Sequence, residues 1–200
     1  FLIKFFFNFI EISNENYNHT DNKKFHYLGL YLSLLAKLNI KIETKKHYLP
    51  FIPNSNNIFL NKKYLLFHLD KRWETFPLKV RDNLKRKITS LSYDNKIVVT
   101  SNIGCNNFYN FIKKKLLNSS NIEFYDEPTL NSIISLVYFS ETCISSHSGL
   151  IVHTAAAFNK KIIDIVHDEI FNELDRWVPF DTNYKRYNVQ NFLDEPFKFA

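Results

Sequence analysis

From Tyr64 onwards the sequence alternates between short apolar runs and longer stretches in which apolar residues recur every three or four positions. An apolar run of four to six residues is typical of a strand buried on both faces of a sheet. Five segments have this character and predict five strands: Tyr64–Leu69, Ile97–Thr100, Ile122–Tyr125, Thr142–Ser145 and Lys161–Val166.

The stretches between these runs have the periodicity of amphipathic helices. Their apolar positions are Phe76, Val80, Leu84, Ile88 and Leu91, then Phe108, Phe111, Ile112 and Leu116, then Leu130, Ile133, Ile134 and Val137. We expect Thr129 to cap the third helix and the small residues of Leu150–Phe158 to form a fourth. Strands separated by helices of this length predict right-handed crossovers and a parallel sheet covered on both faces. The sequence therefore predicts a doubly wound α/β domain over residues 62–200.

Residues 1–61 differ from the rest of the chain. One helix is predicted over Phe25–Leu38, where Leu28, Leu32 and Leu35 recur on one face. The following segment, His47–Asn61, contains prolines and an asparagine cluster and has the composition of a linker. We expect these residues to lie outside the α/β domain.

The net charge of +6 raises the question of a nucleic-acid surface. Lysines are scattered along the chain, and the densest basic stretches, Lys79–Lys87 and Lys113–Lys115, fall on the expected outer faces of helices. We therefore interpret them as solvated helix faces and expect no nucleic-acid partner. The alternative is a peripheral contact with anionic lipid of the inner membrane.

The two cysteines, Cys105 and Cys143, are far apart and belong to no metal-binding motif, so we expect neither a disulfide framework nor a metal site. The apolar run 1–10 is too short to span a bilayer, and no secretory signal is recognisable. These observations favour a cytoplasmic location.

In a doubly wound sheet, ligands bind beyond the carboxyl ends of the strands. The segment Ser145–Leu150 follows the fourth predicted strand with small hydroxyl residues, His147 and Gly149, before a helix begins. Ser146, Ser148, Gly149 and Leu150 would bring backbone N–H groups and the positive end of the helix dipole to one place, which favours a phosphate group. An ordinary tight strand–helix turn is the alternative. The chain has neither a dinucleotide fingerprint nor a P-loop.

Four other residues at this edge could contact a ligand. Lys71 follows the first strand and could neutralise a phosphate, or it could be a solvated loop lysine beside a core Trp73. His153 lies one helical turn after Gly149, where a packing role is the alternative. Asp168 and Glu169 follow the fifth strand and could meet ribose hydroxyls or charge the first turn of a short helix. A Ser-His-Asp triad is excluded because no G-x-S-x-G elbow is present.

Together these segments resemble glycosyltransferase family nine, the ADP-heptose:lipopolysaccharide heptosyltransferases. Lys71-Arg72-Trp73 is similar to the family's Lys-x-Trp loop, and His147–Ala157 is similar to its Asp-Ser/Thr-Gly-x-x-His-x-x-Ala-Ala motif. Leu130–Tyr138 and Arg176–Pro179 match further family segments, so the resemblance extends from about Tyr64 to Tyr187. His147 stands where the family has Asp, His153 lies one residue later than usual, and Lys160 replaces a proline.

The resemblance implies a GT-B fold in which this chain supplies the C-terminal, donor-binding domain. Residues 1–61 would be the tail of the N-terminal domain and a linker. A nucleotide-diphosphate sugar donor would meet Lys71, Ser146, His147, Ser148, Gly149, Leu150 and His153. The acceptor would be an envelope glycan or lipopolysaccharide, no cofactor or metal would be required, and the catalytic residues would lie in the missing N-terminal domain. The alternative is a non-catalytic nucleotide-sugar or anion-binding module.

Overall fold

A computed structural model describes residues 63–102, 107–126, 128–172, 174, 178–179, 183–194 and 196. The chain divides into two compact units, Phe1–Glu43 with Asn172–Val178 and Thr44–Phe171 with Pro179–Ala200. The account below concerns the second unit. The predicted helix over residues 25–38, the linker over 47–61, and Cys105, Arg176 and Trp177 lie outside the described residues.

The described part of the second unit is built on a six-stranded sheet in which every pair of neighbours is parallel. The strands are β1 Leu65–His68, β2 Ile97–Thr100, β3 Ile122–Tyr125, β4 Thr142–Ser145, β5 Lys161–Val166 and β6 Tyr184–Asn188. Their order across the sheet is β3-β2-β1-β4-β5-β6. The chain therefore winds outwards in both directions, and the direction reverses between β1 and β4.

Five described α-helices connect or follow these strands: α1 Leu78–Leu91, α2 Asn107–Leu116, α3 Leu130–Phe139, α4 Gly149–Ala157 and α5 Val189–Asp194. Short 3-10 turns follow β1 and β5, at Lys71–Thr75 and Asp168–Ile170. Thr129 caps α3 as predicted, because its hydroxyl oxygen accepts the backbone N–H of Ser132. None of the helices in the described ranges is long and apolar enough to cross a membrane.

Helices cover both faces of the sheet. One face packs against the apolar sides of α1, α2 and α5, and its core contains Phe67, Val99, Ile144, Ile163 and the wholly buried Trp73. On the other face, which packs against α3 and α4, the core residues include Leu66, Val98, Cys143, Ile162 and the α4 alanines Ala155 and Ala156. The small α4 side chains let that helix lie close to the sheet. The predicted doubly wound fold is confirmed.

The prediction that the series closes with a fifth strand is wrong, because β6 adds a sixth beside β5. The segment Tyr184–Asn188 contains two tyrosines and three polar residues, and only Tyr187 in it is buried. This composition fits a strand at the edge of a sheet, where one side of the strand has no neighbour. It lacks the continuous apolar run by which the central strands are recognised.

A row of polar residues crosses the carboxyl end of the sheet on the α3–α4 face. Because side chains alternate between faces, residues in register on parallel strands share a face. In the register of the strands, His68 of β1 lies between Thr100 of β2 and Ser145 of β4. The row continues across β5 and β6, where Asp164 lies opposite Ser145 and Arg186 lies opposite Asp164. The apolar core therefore ends in a polar layer at the edge where ligands bind in sheets of this kind.

Candidate functional site

A cleft of about 610 Å³ lies beyond the carboxyl ends of β1, β4 and β5. It is lined by Arg72, Thr75, Pro77, Ser146, His147, Val166, His167, Glu169 and Ile170. The cleft thus opens where the winding direction of the sheet reverses, which is the position where ligands bind in doubly wound folds. Of the residues that the sequence analysis selected as possible ligand contacts, Ser146, His147 and Glu169 line it.

The loop between β4 and α4 turns at His147, whose φ of 48° lies in the left-handed region. Gly149 does not make this turn. Gly149 is the first residue of α4, and a Cβ added to it would meet nothing within 4 Å. The fold of the described residues therefore does not need glycine at this position, whereas a ligand close to the helix N-terminus would.

The start of α4 is exposed and has no side-chain cap. Ser148 occupies the N-cap position, but its side chain makes no capping hydrogen bond, and its carbonyl accepts the N–H of Val152 at 2.9 Å. Gly149 and Leu150 are exposed, and His153 is exposed one turn further along the helix. The first backbone N–H groups of a helix need a partner from outside the helix, and an anion is a suitable one.

The buried carboxylate of Asp164 stabilises the turn at His147 through hydrogen bonds. Its Oδ1 accepts the backbone N–H of His147 at 2.5 Å, and its Oδ2 accepts the Nδ1–H of the same residue at 2.8 Å. The hydroxyl of Tyr184 donates to Oδ2 at 2.7 Å and accepts from Nε of Arg186 at 3.2 Å. Asp164 itself is wholly buried on β5. A buried carboxylate needs several donors of this kind to offset its loss of hydration.

Sequence reasoning missed Asp164, although a signal was present. The residue stands in the middle of Lys161–Val166, an otherwise apolar run that was predicted to be buried on both faces. Aspartate is rarely fully buried unless it is paired. A charged residue inside such a strand therefore indicates a partner on a neighbouring element, and here that partner is the turn at His147.

The loop after β1 is tied down by its own side chains. Asp70 caps the 3-10 turn: its carboxylate accepts the backbone N–H of Arg72 at 2.9 Å and the Arg72 guanidinium at 2.7 Å. Burial raises the pKa of Asp70, and the neighbouring Arg72 opposes that shift. Trp73 is wholly buried, as one reading of the sequence proposed, and its Nε1–H donates to the carbonyl of His68 at 3.0 Å.

The cation that this loop contributes to the cleft is Arg72. Its side chain is 53% exposed and lines the cleft while it remains paired with Asp70. Lys71, the residue selected from the sequence, is exposed and does not belong to the cleft lining. Position in the 3-10 turn determines which of the two side chains lines the cleft, because successive residues of a helical turn point in different directions.

His68 lies beneath this loop and is wholly buried at the end of β1. Its Nε2–H donates to Oδ1 of Asn102 at 2.9 Å, so Nδ1 is the unprotonated nitrogen of the neutral ring. Burial lowers the pKa of His68 from 6.5 to about 4, and the Asn102 hydrogen bond opposes this shift only in part. His68 is therefore a neutral residue of the polar layer near neutral pH.

Part of the cleft lining is apolar. Pro77, Val166 and Ile170 form this part, and the ring of His167 stacks on Phe76 with centroids 4.0 Å apart. The Thr75 hydroxyl donates to the Arg72 carbonyl, so the 2.6 Å contact between Thr75 and His167 uses the Nε2–H of the histidine as the donor. Glu169 also lines the cleft, whereas Asp168 does not.

The described residues contain no group of three or more His, Cys, Asp or Glu side chains that could hold a metal ion. Cys143 is buried in the sheet, as the sequence suggested, and burial raises the pKa of its thiol to about 12. At this edge Arg72 and His147 line the cleft, and the backbone N–H groups at the start of α4 lie in the loop that contains His147.

The sequence matches no known family model, and it matches no curated protein. Solved structures are similar to the chain in fold. A glycosyl transferase of family 9 from Veillonella parvula superimposes with a TM-score of 0.61 and 10% identity, over 88% of this chain and 52% of that one. ADP-heptose lps heptosyltransferase II from E. coli superimposes with a TM-score of 0.54 and 12% identity, over 68% of this chain and 46% of that one.

A third similar structure is heptosyltransferase WaaC from E. coli with ADP-2-deoxy-2-fluoro heptose, with a TM-score of 0.49 and 14% identity over 66% of this chain and 39% of that one. The chain thus spans about half, or less, of the length of these three proteins. At identities this low the similarity concerns the fold. The second unit of the chain has a fold like that of the family 9 glycosyltransferases of the GT-B type.

Proposed function

We propose that this chain supplies the donor-binding half of a heptosyltransferase-like glycosyltransferase, which transfers a sugar from a nucleotide-diphosphate donor to an envelope glycan or lipopolysaccharide acceptor. The observation that carries the proposal is the open start of α4 beside the cleft. Ser148 makes no side-chain cap, and beyond the chain neighbours and the backbone of its own helix no atom lies within 4 Å of a Cβ at Gly149. A diphosphate group fits a helix N-terminus that is open in this way.

The rest of the cleft supports the same ligand. Arg72 lines it with a guanidinium group, which binds phosphate oxygens through two parallel hydrogen bonds. The apolar lining residues Pro77, Val166 and Ile170 suit a nucleoside, and Glu169 provides a carboxylate for ribose hydroxyls. We keep Lys71, Ser146, His147, Ser148, Gly149, Leu150 and His153 as the proposed donor-binding residues and add Arg72 to them.

Sugar transfer would require more protein than these 200 residues. In a GT-B enzyme the acceptor binds to the other domain, and the reaction takes place between the two. The chain spans 52% of the family 9 structure and 46% of the heptosyltransferase II structure. We therefore propose that the 200 residues bind the donor without transferring the sugar, and that the complete enzyme acts in the cytoplasm, at the periphery of the inner membrane.

A second candidate is a nucleotide-sugar or anion-binding module without catalytic activity. The observation that favours it is His147, which stands where the resembling motif has a carboxylate. The nearby carboxylate of Asp164 is wholly buried and is engaged by His147 and Tyr184. Sugar transfer by the chain joined to one further N-terminal domain of roughly 100–150 residues would separate the two candidates.

Donor binding is tested by calorimetric titration of the chain with ADP and UDP, and with adenosine and uridine for comparison. We expect Arg72→Gln to weaken binding of the matching nucleoside diphosphate about tenfold or more, because a charge-assisted hydrogen bond contributes on the order of 1–3 kcal/mol. Lys71→Met is the adjacent control: it removes a charge outside the cleft lining, and we expect a smaller loss.

Two results would contradict this account. A folded chain that binds neither diphosphate would remove the proposed function. Equal weakening of nucleoside and nucleoside-diphosphate binding by Arg72→Gln would show that the loss is structural, because Asp70 then loses its partner inside the loop.

A further inference from the structure

The pair formed by His147 and Asp164 carries an inference about how the donor is bound. We infer that Asp164 is a positioning residue, which fixes the ring of His147 so that its Nε2 meets the diphosphate of the donor, and that donor binding therefore depends on protonation of His147. This inference rests on the proposed function and adds to it a pH dependence and the residue that produces it.

The first argument is that one carboxylate holds both the backbone and the ring of the same residue. Oδ1 of Asp164 accepts the His147 N–H, and Oδ2 accepts its Nδ1–H. A φ of 48° is uncommon for residues other than glycine, so this turn needs support from its surroundings. Asp164 provides that support and sets the ring orientation at the same time. The side chain of His147 is 20% exposed and lines the cleft, whereas that of Asp164 is wholly buried.

The second argument concerns the proton on the ring. An ionised carboxylate only accepts hydrogen bonds, so the contact with Asp164 places a hydrogen on Nδ1. Nε2 is then a lone pair in the neutral ring and a donor in the cation. Among the described residues Nε2 makes no hydrogen bond. Only the cation can donate from Nε2 to a phosphate oxygen, so binding of a diphosphate and protonation of the ring are coupled.

The groups around Asp164 keep the carboxylate in its accepting role. Burial raises the pKa of Tyr184, followed in importance by the charge of Asp164, so the tyrosine hydroxyl remains protonated and donates to Oδ2. Arg186 donates in turn to the Tyr184 oxygen. Both carboxylate oxygens of Asp164 therefore accept hydrogen bonds, and the proton that can be gained or lost is the one on Nε2 of His147.

Other charged and titratable groups surround the pair and enter the design of the test. They are Tyr184 and Arg186 on β6, Asp70 and Arg72 in the loop after β1, and His167 and Glu169 after β5. Of these, His167 is the other imidazole that lines the cleft. Its Nε2–H is donated to Thr75, so a His167 variant separates its contribution from that of His147.

The variants are chosen to preserve the turn. His147→Asn keeps a residue that tolerates positive φ and has an amide that can still meet the carboxylate, but it cannot titrate. Asp164→Asn keeps the shape of the buried side chain and removes its charge. His167→Asn is the matched control, because it removes the other histidine that lines the cleft. Circular dichroism verifies that each chain is folded.

The ligands are ADP-glucose and UDP-glucose, because a diphosphate esterified at both ends does not titrate near neutral pH. Calorimetry measures affinity from about pH 8 down to about pH 5.5, across the imidazole range. For the nucleotide sugar that binds, we expect wild-type affinity to increase about tenfold as the pH falls, as a new charge-assisted hydrogen bond forms. His147→Asn should remove the dependence, Asp164→Asn should reduce it, and His167→Asn should retain it whatever its affinity at pH 8.

Nitrogen NMR of the histidine rings gives a readout that needs no ligand. The His147 signals, assigned from their loss in His147→Asn, should report a hydrogen on Nδ1 in the neutral ring, and Asp164→Asn should shift the population towards the Nε2–H form. Binding of a nucleotide sugar with an unaltered pH dependence in His147→Asn would overturn the inference and leave the proposed function standing. A folded chain that binds neither nucleotide sugar at any pH would overturn both.

Discussion

Two loops at the same edge of the sheet use their polar groups in opposite ways. The loop after β1 satisfies its own groups: Asp70 caps the 3-10 turn and pairs with Arg72, and Trp73 is anchored in the core. The loop after β4 leaves its groups without partners of this kind: Ser146 and His147 line the cleft, Ser148 forms no side-chain cap, and a Cβ at Gly149 would contact nothing beyond its chain neighbours and its own helix backbone within 4 Å. Its support comes from Asp164, a residue of the next strand.

This difference indicates a division of labour between the loops. A loop that is closed on itself presents one fixed side chain, Arg72, to the cleft. A loop held from behind presents backbone N–H groups and an imidazole, which are the groups that bind a phosphate at a helix start. The histidines of the two strand ends follow the same division: His68 is wholly buried, and His147 reaches the cleft.

We expect the largest difference between the two loops in their response to acid, because the buried, neutral His68 makes the free energy of unfolding depend on pH. The unfolded chain takes up a proton near the ordinary pKa of 6.5, whereas the folded chain takes it up only near pH 4. Between these values the unfolded state binds more protons, so the free energy of unfolding falls as the pH is lowered from about 6.5 to about 4. The loss amounts to at most about 3 kcal/mol, and above this range His68 contributes none of it.

Urea unfolding of the wild type and of His68→Gln at several pH values measures this contribution. Near neutral pH we expect His68→Gln to be no more stable than the wild type. On acidification its free energy of unfolding should fall less than that of the wild type, because glutamine does not titrate. Asp70 has a raised pKa and acts in the opposite direction, but it is present in both proteins and drops out of their difference. Parallel losses in the two proteins would show that His68 is not buried in its neutral form.

A smaller effect compares the starts of two neighbouring helices. The side chain of Thr129 accepts the N–H of Ser132 at 3.2 Å at the start of α3, whereas that of Ser148 makes no such bond at the start of α4. Thr129→Ala should lower the free energy of unfolding by about 1 kcal/mol, and Ser148→Ala by only a few tenths. Equal losses in urea unfolding would mean that Ser148 caps its helix, and the start of α4 would not be open.

The sequence predicted most of the fold because hydrophobic burial alone determines the central strands. Four predicted strands, Ile97–Thr100, Ile122–Tyr125, Thr142–Ser145 and Lys161–Val166, agree with the structure residue for residue. Each is a short, mostly apolar run that follows a helical pattern in the sequence, and such a pattern does not depend on distant partners. The capping residue Thr129 was also predictable, since a cap is a local interaction.

The parts that escaped prediction depend on contacts between distant residues or on local side-chain direction. β6 was missed because an edge strand does not need an apolar run. Asp164 was missed because its function is to hold a residue 17 positions earlier in the chain. Arg72 was passed over for Lys71 because the orientation of the 3-10 turn follows from the Asp70 cap. For the described part of the chain, the sequence thus located the edge where the cleft lies but not the groups behind it.

The most direct test of the central claim is nucleotide binding by Gly149→Val, measured by calorimetry beside Gly149→Ala. A Cβ at position 149 would have no contact within 4 Å beyond its chain neighbours and its own helix backbone, and both residues favour a helix more than glycine does, so we expect both variants to fold like the wild type by circular dichroism. If the start of α4 binds the diphosphate, Gly149→Val abolishes binding of ADP or UDP and Gly149→Ala weakens it. Unchanged affinity in a folded Gly149→Val chain would contradict the assignment of α4 as the diphosphate site.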